Sequence, residues 1–196
     1  AAEFRHPKFD FTYFDLRAED YTLLDSYTDI DTLIITAGFG RLAHFKDIEE
    51  QHIIDSFTVN STAPLRIIHH FFPRISAKES FYCGVMGSIA GFLSSPLFAV
   101  YGATKAALKI FIESVNVELE KSGTSNRILN ISPGSIKGTA FYNGANNLDL
   151  TRSLAADILK HLWAKEDLFI PQYDTIYREV LERYHDDFRA EGRHSY

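Results

Sequence analysis

Tyr101 and Lys105 stand four residues apart at the start of "YGATKAALKIFIESVNVELEKSG", residues 101–123. On a helix such positions share a face, with Cβ atoms roughly 5–6 Å apart, so an ammonium can sit near a phenol. An isolated tyrosine titrates near pH ~10, too high for proton exchange at neutral pH, and lowering it by about 3 units takes about 4 kcal/mol of preferential phenolate stabilisation. A positive charge one turn away contributes to that, and the small neighbours Gly102 and Ala103 leave space for a flat ligand. The combination suits a general acid/base acting on an alcohol or ketone. By spacing alone so short a pattern is better read as a Tyr–Lys pair on a solvated helix face that does no chemistry.

Other candidates are weaker. "GFGRLA" (38–43) matches G-x-G-x-x-A directly after an apolar run. A dinucleotide fingerprint also needs a second strand ending in an acid about 20 residues on. Here a helical pattern runs to about Ile75 instead. A strand-end turn, with glycines that let a ligand approach the backbone, is the better reading. His69 and His70 have no acid or cysteine at ligand spacing, so no metal site is expected. Cys83, in "FYCGVM", reads as a buried structural thiol.

The elements that must position these residues alternate. Strands are expected at "FTYFDL" (11–16), "DTLIITAG" (31–38), "SFYCGVMGS" (80–88), "NRILNISPG" (126–134) and, briefly, "DLFIP". Helices are expected over 47–75 with an interruption near Asn60–Pro64, over 99–121 with Gly123 as its stop, over 151–164, and in a final amphipathic segment with Ile176, Val180, Tyr184 and Phe188 on one side. A polar loop is expected over 137–150. Continuous apolar strands suit a parallel sheet buried on both faces. The predicted fold is therefore α/β: a Rossmann-like, doubly wound parallel sheet in three α/β/α layers, forming one domain over 1–196. Ligands of such sheets bind beyond the carboxyl ends of the strands, here at Asp15, Ala37–Gly38, Ser88 and Pro133–Gly134.

Composition agrees. The 196 residues suffice for one filled core, and 45% hydrophobic with 23% charged residues is ordinary for a packed globular chain. A net charge of −6 gives no footprint for nucleic acid. No run reaches the roughly 18 apolar residues of a membrane span. A lone cysteine and the lack of a signal-peptide core in "AAEFRHPKFD" fit a cytoplasmic setting.

Taken together, "TAG" (36–38), "TVNSTAPL" (58–65), "GSIAG" (87–91), "YGATKAAL" (101–108) and "SPGSIKGT" (132–139) resemble, in order, motifs of the short-chain dehydrogenase/reductase family in its compact single-domain form. The resemblance covers roughly residues 10–140. It implies an oxidoreductase using NAD or NADP on a small-molecule alcohol or carbonyl substrate. Tyr101 would be the acid/base and Lys105 would lower its pKa and bind the nicotinamide ribose. Ser88 would hydrogen-bond the substrate oxygen, and Asn60 would hold a water linking Lys105 to solvent. Asp15 and Leu16 would meet the adenine, Ala37 and Gly38 would line the cofactor with backbone, and Pro133, Gly134 and Ile136 would meet the carboxamide side of the nicotinamide. Thr139 departs from the pattern, which has its threonine where this chain has Gly138.

The family opens with a strand, a glycine-rich turn and a helix that cradle the pyrophosphate. No such turn precedes "TAG" here, so an N-terminal segment of roughly 40–50 residues carrying that βαβ unit is expected. Cofactor preference is not legible without it. The alternatives are a non-catalytic binding or scaffold protein that keeps the fold, and a sugar-nucleotide epimerase, for which the tail after Gly134 is short. A homodimer or homotetramer is expected through the helices around 47–75 and 99–121, whose apolar residues include Ile67, Ile68, Phe71, Phe72, Ile110 and Phe111.

Overall fold

Short runs rich in Ile, Leu and Val pair as four strands: β1 (Thr32–Ile35), β2 (Tyr82–Met86), β3 (Ile128–Ile131) and β4 (Leu168–Phe169). In this computed structural model, residues 7–139, 141 and 147–194 are described. The sheet is parallel throughout, in the order β1-β2-β3-β4, with Leu33 opposite Cys83 and Cys83 opposite Ile128. Between β1 and β2 run α1 (Glu50–Phe57) and α2 (Ala63–Ile75); α3 (Ala99–Ser122) joins β2 to β3, and α4 (Leu148–Trp163) precedes β4. Strand side chains alternate between faces. Cys83, Val85 and Ile128 face α2 and α3 and pack with Ile68, Ile75, Leu108 and Ile112. Leu129 and Ile131 face the other way, onto Ile158 and Leu162 of α4. Helices thus cover both faces, as the three-layer reading predicts.

Helix α3 ends at Gly123, whose φ of 77° is the left-handed conformation that stops a helix. Asn116 of α3 docks it on the sheet: Nδ2 donates to the Ile128 carbonyl at 2.9 Å, and Oδ1 accepts from the Ile128 N–H at 2.8 Å. At the amino ends of the strands Asn126 is a buried knot. Its Nδ2 donates to the carbonyls of Ile75, Ala77 and Glu79, while Oδ1 accepts from the Phe81 N–H and from Lys165 Nζ.

Three expectations are corrected. Residues 11–16 pair with no strand. The chain turns immediately after them, with the Ala18 N–H on the Asp15 carbonyl, and Phe14 and Leu16 gain their burial by packing on the core edge-on rather than through a ladder. Arg66 of α2 fastens the segment that follows, donating to the Ala18 and Glu19 carbonyls with its guanidinium over the Tyr21 ring. The interruption near Asn60–Pro64 is a single wide π-turn, Thr58–Thr62, that runs on into α2. Pro64, which has no N–H to donate, follows directly on the π-turn, in the first turn of α2. The final helix is divided into a π-turn (Tyr173–Tyr177), α5 (Arg178–Asp186) and α6 (Phe188–His194). Asp187 makes the break: its carboxylate accepts from the Arg189 and Ala190 N–H groups, which caps α6. The loop read over 137–150 falls partly outside the described residues. No described helix is long and apolar enough to cross a membrane.

Candidate active site

The carboxyl ends of β1, β2 and β3 open into a cleft of about 680 Å³. Gly38, Ser88, Tyr101, Lys105, Pro133, Gly134, Ile136 and Thr139 all line it. β2 delivers Ser88 two residues past its end, and the first two turns of α3 deliver Tyr101 and Lys105.

Lys105 is buried, and Nζ donates to the Met86 carbonyl at 2.7 Å. Burial lowers its pKa from 10.5 to about 8. Nζ lies 5.8 Å from the centre of the Tyr101 ring, the i, i+4 neighbourhood predicted for the pair. The amine is therefore no part of a solvated helix face. Gly38 packs directly above it: a Cβ there would stand 3.3 Å from both Lys105 Nζ and Asn60 Oδ1. Asn60 is fully buried in the π-turn. Its Oδ1 accepts from the Phe39 N–H at 2.9 Å, and Nδ2 donates to the Phe39 carbonyl and to Thr104 Oγ1. The carboxamide is spent on holding the turn after β1 against α3, so its side chain positions the site rather than reaching into the cleft.

Ser88 caps a short 3-10 turn, Ile89–Gly91, with Oγ accepting from the Ala90 N–H at 3.1 Å. The turn-capping role and the cleft-lining role coexist, because a hydroxyl that accepts still has its own proton to donate. The Ile89 N–H in turn donates to the Pro133 carbonyl at 3.0 Å, tying the loop after β2 to the one after β3. Thr139 Oγ1 donates to the Ile136 carbonyl at 3.0 Å.

Three expected contacts lie elsewhere. Leu16 and Ala37 line a separate apolar cleft of about 370 Å³, which meets the larger one at Thr36. Asp15 accepts from the Arg17 side chain and the Arg17 N–H, which hold its carboxyl below the usual range. Neither Asp15 nor Leu16 lines the cleft of Tyr101. Cys83 is buried in β2 as expected, its thiol pushed up to about 12 by burial. His70 faces Asp25 at 3.8 Å. Among the described residues no group of three His, Cys, Asp or Glu could hold a metal.

Sequence reasoning missed four aromatic residues of the cleft: Phe39, Phe98, Phe141 and Tyr177. The Phe98 and Phe141 rings stand 5.6 Å and 5.2 Å from that of Tyr101. Tyr177 lies eight residues past the end of β4, too far for the strand-end rule that pointed to Ser88 and Gly134 to reach it.

A family model described as short chain dehydrogenase matches residues 9–148. An uncharacterized oxidoreductase of Saccharomyces cerevisiae, TDA5, is 32% identical over 143 residues, 68% of this chain and 43% of that protein. An uncharacterized oxidoreductase of Staphylococcus epidermidis is 27% identical over 114 residues, 58% of this chain and 49% of that protein. The chain thus spans less than half the length of these curated relatives. The fold is also that of a short chain dehydrogenase from Burkholderia cenocepacia solved in complex with NADP, with a TM-score of 0.72 at 19% identity over 93% of this chain and 76% of that one. With the family model covering well over half of the sequence, the chain belongs to the short-chain dehydrogenase family.

Proposed function

We propose that the protein is an NAD(P)-dependent oxidoreductase that interconverts a small alcohol and its carbonyl, with Tyr101 as general acid/base. The observation that carries this reading is the convergence of Ser88, Tyr101 and Lys105 on a single cleft at the carboxyl edge of a parallel sheet. The residues present fit the nicotinamide-ribose end of a dinucleotide. Gly38 keeps the backbone bare beside the Lys105 ammonium, and the Pro133–Gly134 turn presents main chain across the cleft. Lys105 would bind the ribose, Ala37 and Gly38 would flank it, and Pro133, Gly134 and Ile136 would meet the carboxamide. The dinucleotide, when bound, supplies or accepts the hydride.

In the reducing direction the Tyr101 hydroxyl gives its proton to the carbonyl oxygen, and Ser88 donates a hydrogen bond to the same oxygen. The phenolate left on Tyr101 is stabilised by the nearby Lys105 charge, which at neutral pH is still mostly present for a pKa of about 8. Oxidation runs the same proton path backwards. The carboxamide of Asn60 keeps the turn after β1 in place over Lys105.

Asp15 and Leu16 are proposed to meet the adenine through the smaller cleft at Thr36. We also assign a cytoplasmic setting, consistent with the single buried thiol, and a homodimer or homotetramer. Support for the oligomer is narrower than the sequence suggests: Ile67, Ile68 and Phe71 are consumed in the chain's own core, whereas Ile110 and Val117 on α3 stay 58% and 65% exposed.

Tyr101→Phe removes the transferable proton and little else. In the full-length protein with either dinucleotide bound, turnover of carbonyl substrates should fall by at least about 10²–10⁴-fold, with the fold intact by circular dichroism. Near-normal turnover would sink the assignment. If the unaltered protein neither binds NAD(H) or NADP(H) nor turns over, the reading gives way to a binding or scaffold protein.

A further inference from the structure

Gly134, three residues past the end of β3, lacks a side chain, and the space this leaves is taken by Tyr177. A Cβ on Gly134 would collide with the Tyr177 hydroxyl and crowd its ring. Tyr177 lines the same cleft as Tyr101 and Lys105, and it enters from the opposite end of the chain. The position matters because the proposed oxidoreductase reading, on which this inference rests, seats the nicotinamide against Pro133–Gly134. A phenol and a nicotinamide ring cannot occupy that space together.

The segment that carries Tyr177 is lightly buried. It is a π-turn, Tyr173–Tyr177, hung from β4 through Ile170–Gln172. Gln172 sits in the left-handed region at φ 62°, ψ 24°, unusual for a residue with a side chain. The N–H groups of Ile176 and Tyr177 both converge on the Gln172 carbonyl. Residues Gln172–Ile176 are all exposed, and Tyr177 is the first side chain of the turn to point inward. A turn with so little buried surface can swing without opening the core.

We propose that Tyr177 gates the dinucleotide side of the cleft: its phenol stands in the space that Gly134 frees, and it must leave before a nicotinamide ring can lie against Pro133–Gly134. Binding is then limited by the fraction of molecules with the phenol withdrawn, and the apparent affinity is reduced by that fraction.

The test measures association of NADH and NADPH with the full-length protein by stopped-flow fluorescence, alongside thermal unfolding. Tyr177→Ala should associate roughly 3–10-fold faster, with its unfolding midpoint nearly unchanged, because the closed state is gone. Tyr177→Phe, which keeps the ring but withdraws the hydroxyl from Gly134, should fall between. In the unaltered protein, amide exchange of 172–177 should change on adding dinucleotide. Binding by the unaltered protein with no gain in Tyr177→Ala, or with no exchange response at 172–177 should that variant not fold, overturns the gate and leaves the oxidoreductase reading standing. Absence of dinucleotide binding in both the unaltered protein and Tyr177→Ala overturns the two together.

Discussion

A buried ammonium is costly, and Lys105 carries one at 3% exposure with a single hydrogen bond among the described residues, to the Met86 carbonyl. Its pKa is lowered from 10.5 to about 8 by burial, so folding holds the amine in a place that disfavours its charge, at a cost on the order of 3 kcal/mol at neutral pH. The unfolded chain binds this proton up to its higher pKa, and the folded one releases it near 8. Stability from this group is therefore lowest below about pH 8 and rises between about pH 8 and 10.5. Lys105→Met, which keeps the stem and discards the charge, should stabilise the dinucleotide-free protein by about 1–3 kcal/mol at pH 7, less whatever the lost bond to Met86 takes back. The advantage should shrink towards pH 10.5, and activity should be lost. Denaturant titrations at pH 7 and pH 10 check this; a variant that is less stable at pH 7 would refute it.

At the scale of elements, much was legible because the signals were local. Apolar runs marked β1, β2 and β3, and Gly123 ended α3 where its sequence said it should. What was not legible depended on tertiary partners. Residues 11–16 have strand composition but no strand edge beside them. Asn60 looked like a break in a helix, since nothing near it in sequence shows that its carboxamide will find both backbone groups of Phe39, 21 residues away. Ser88, Tyr101 and Lys105 were found by spacing, whereas Phe141 and Tyr177 reach the cleft only through the path of the chain after β3. Asn60→Asp tests the importance of the π-turn. It keeps the shape, removes both donated bonds, and buries a carboxylate against the Phe39 carbonyl. A loss of about 2–4 kcal/mol is expected at pH 7, with partial recovery as the pH falls and the acid is protonated. Urea unfolding at pH 7 and pH 4.5 measures it, and a change under 0.5 kcal/mol would show that the turn does not need the amide.

For the molecule as a whole, the outer face of α3 is where the proposed assembly should show. Ile110 and Val117 lie two turns apart on that face, and the chain's own core uses neither. Ile110→Asp with Val117→Asp should therefore convert a dimer or tetramer to monomer in sedimentation at micromolar concentration, while circular dichroism is unchanged. An unaltered protein that is already monomeric there would refute the assembly.

The knot at Asn126 has a consequence for motion. It gathers the approaches to β2, β3 and β4 at one rim of the sheet, with Lys165 and Thr124 adding bonds around it. At the opposite rim, where the cleft opens, the ties among the described residues are thinner: one backbone bond from Ala43 to Leu97, one from Ile89 to Pro133, and the hold of Asn60 on Phe39. The sheet is bound tightly along its spine and more lightly at its fore-edge, like a book. Loops lightly tied at the fore-edge can part and close over a guest while the strands keep their registry.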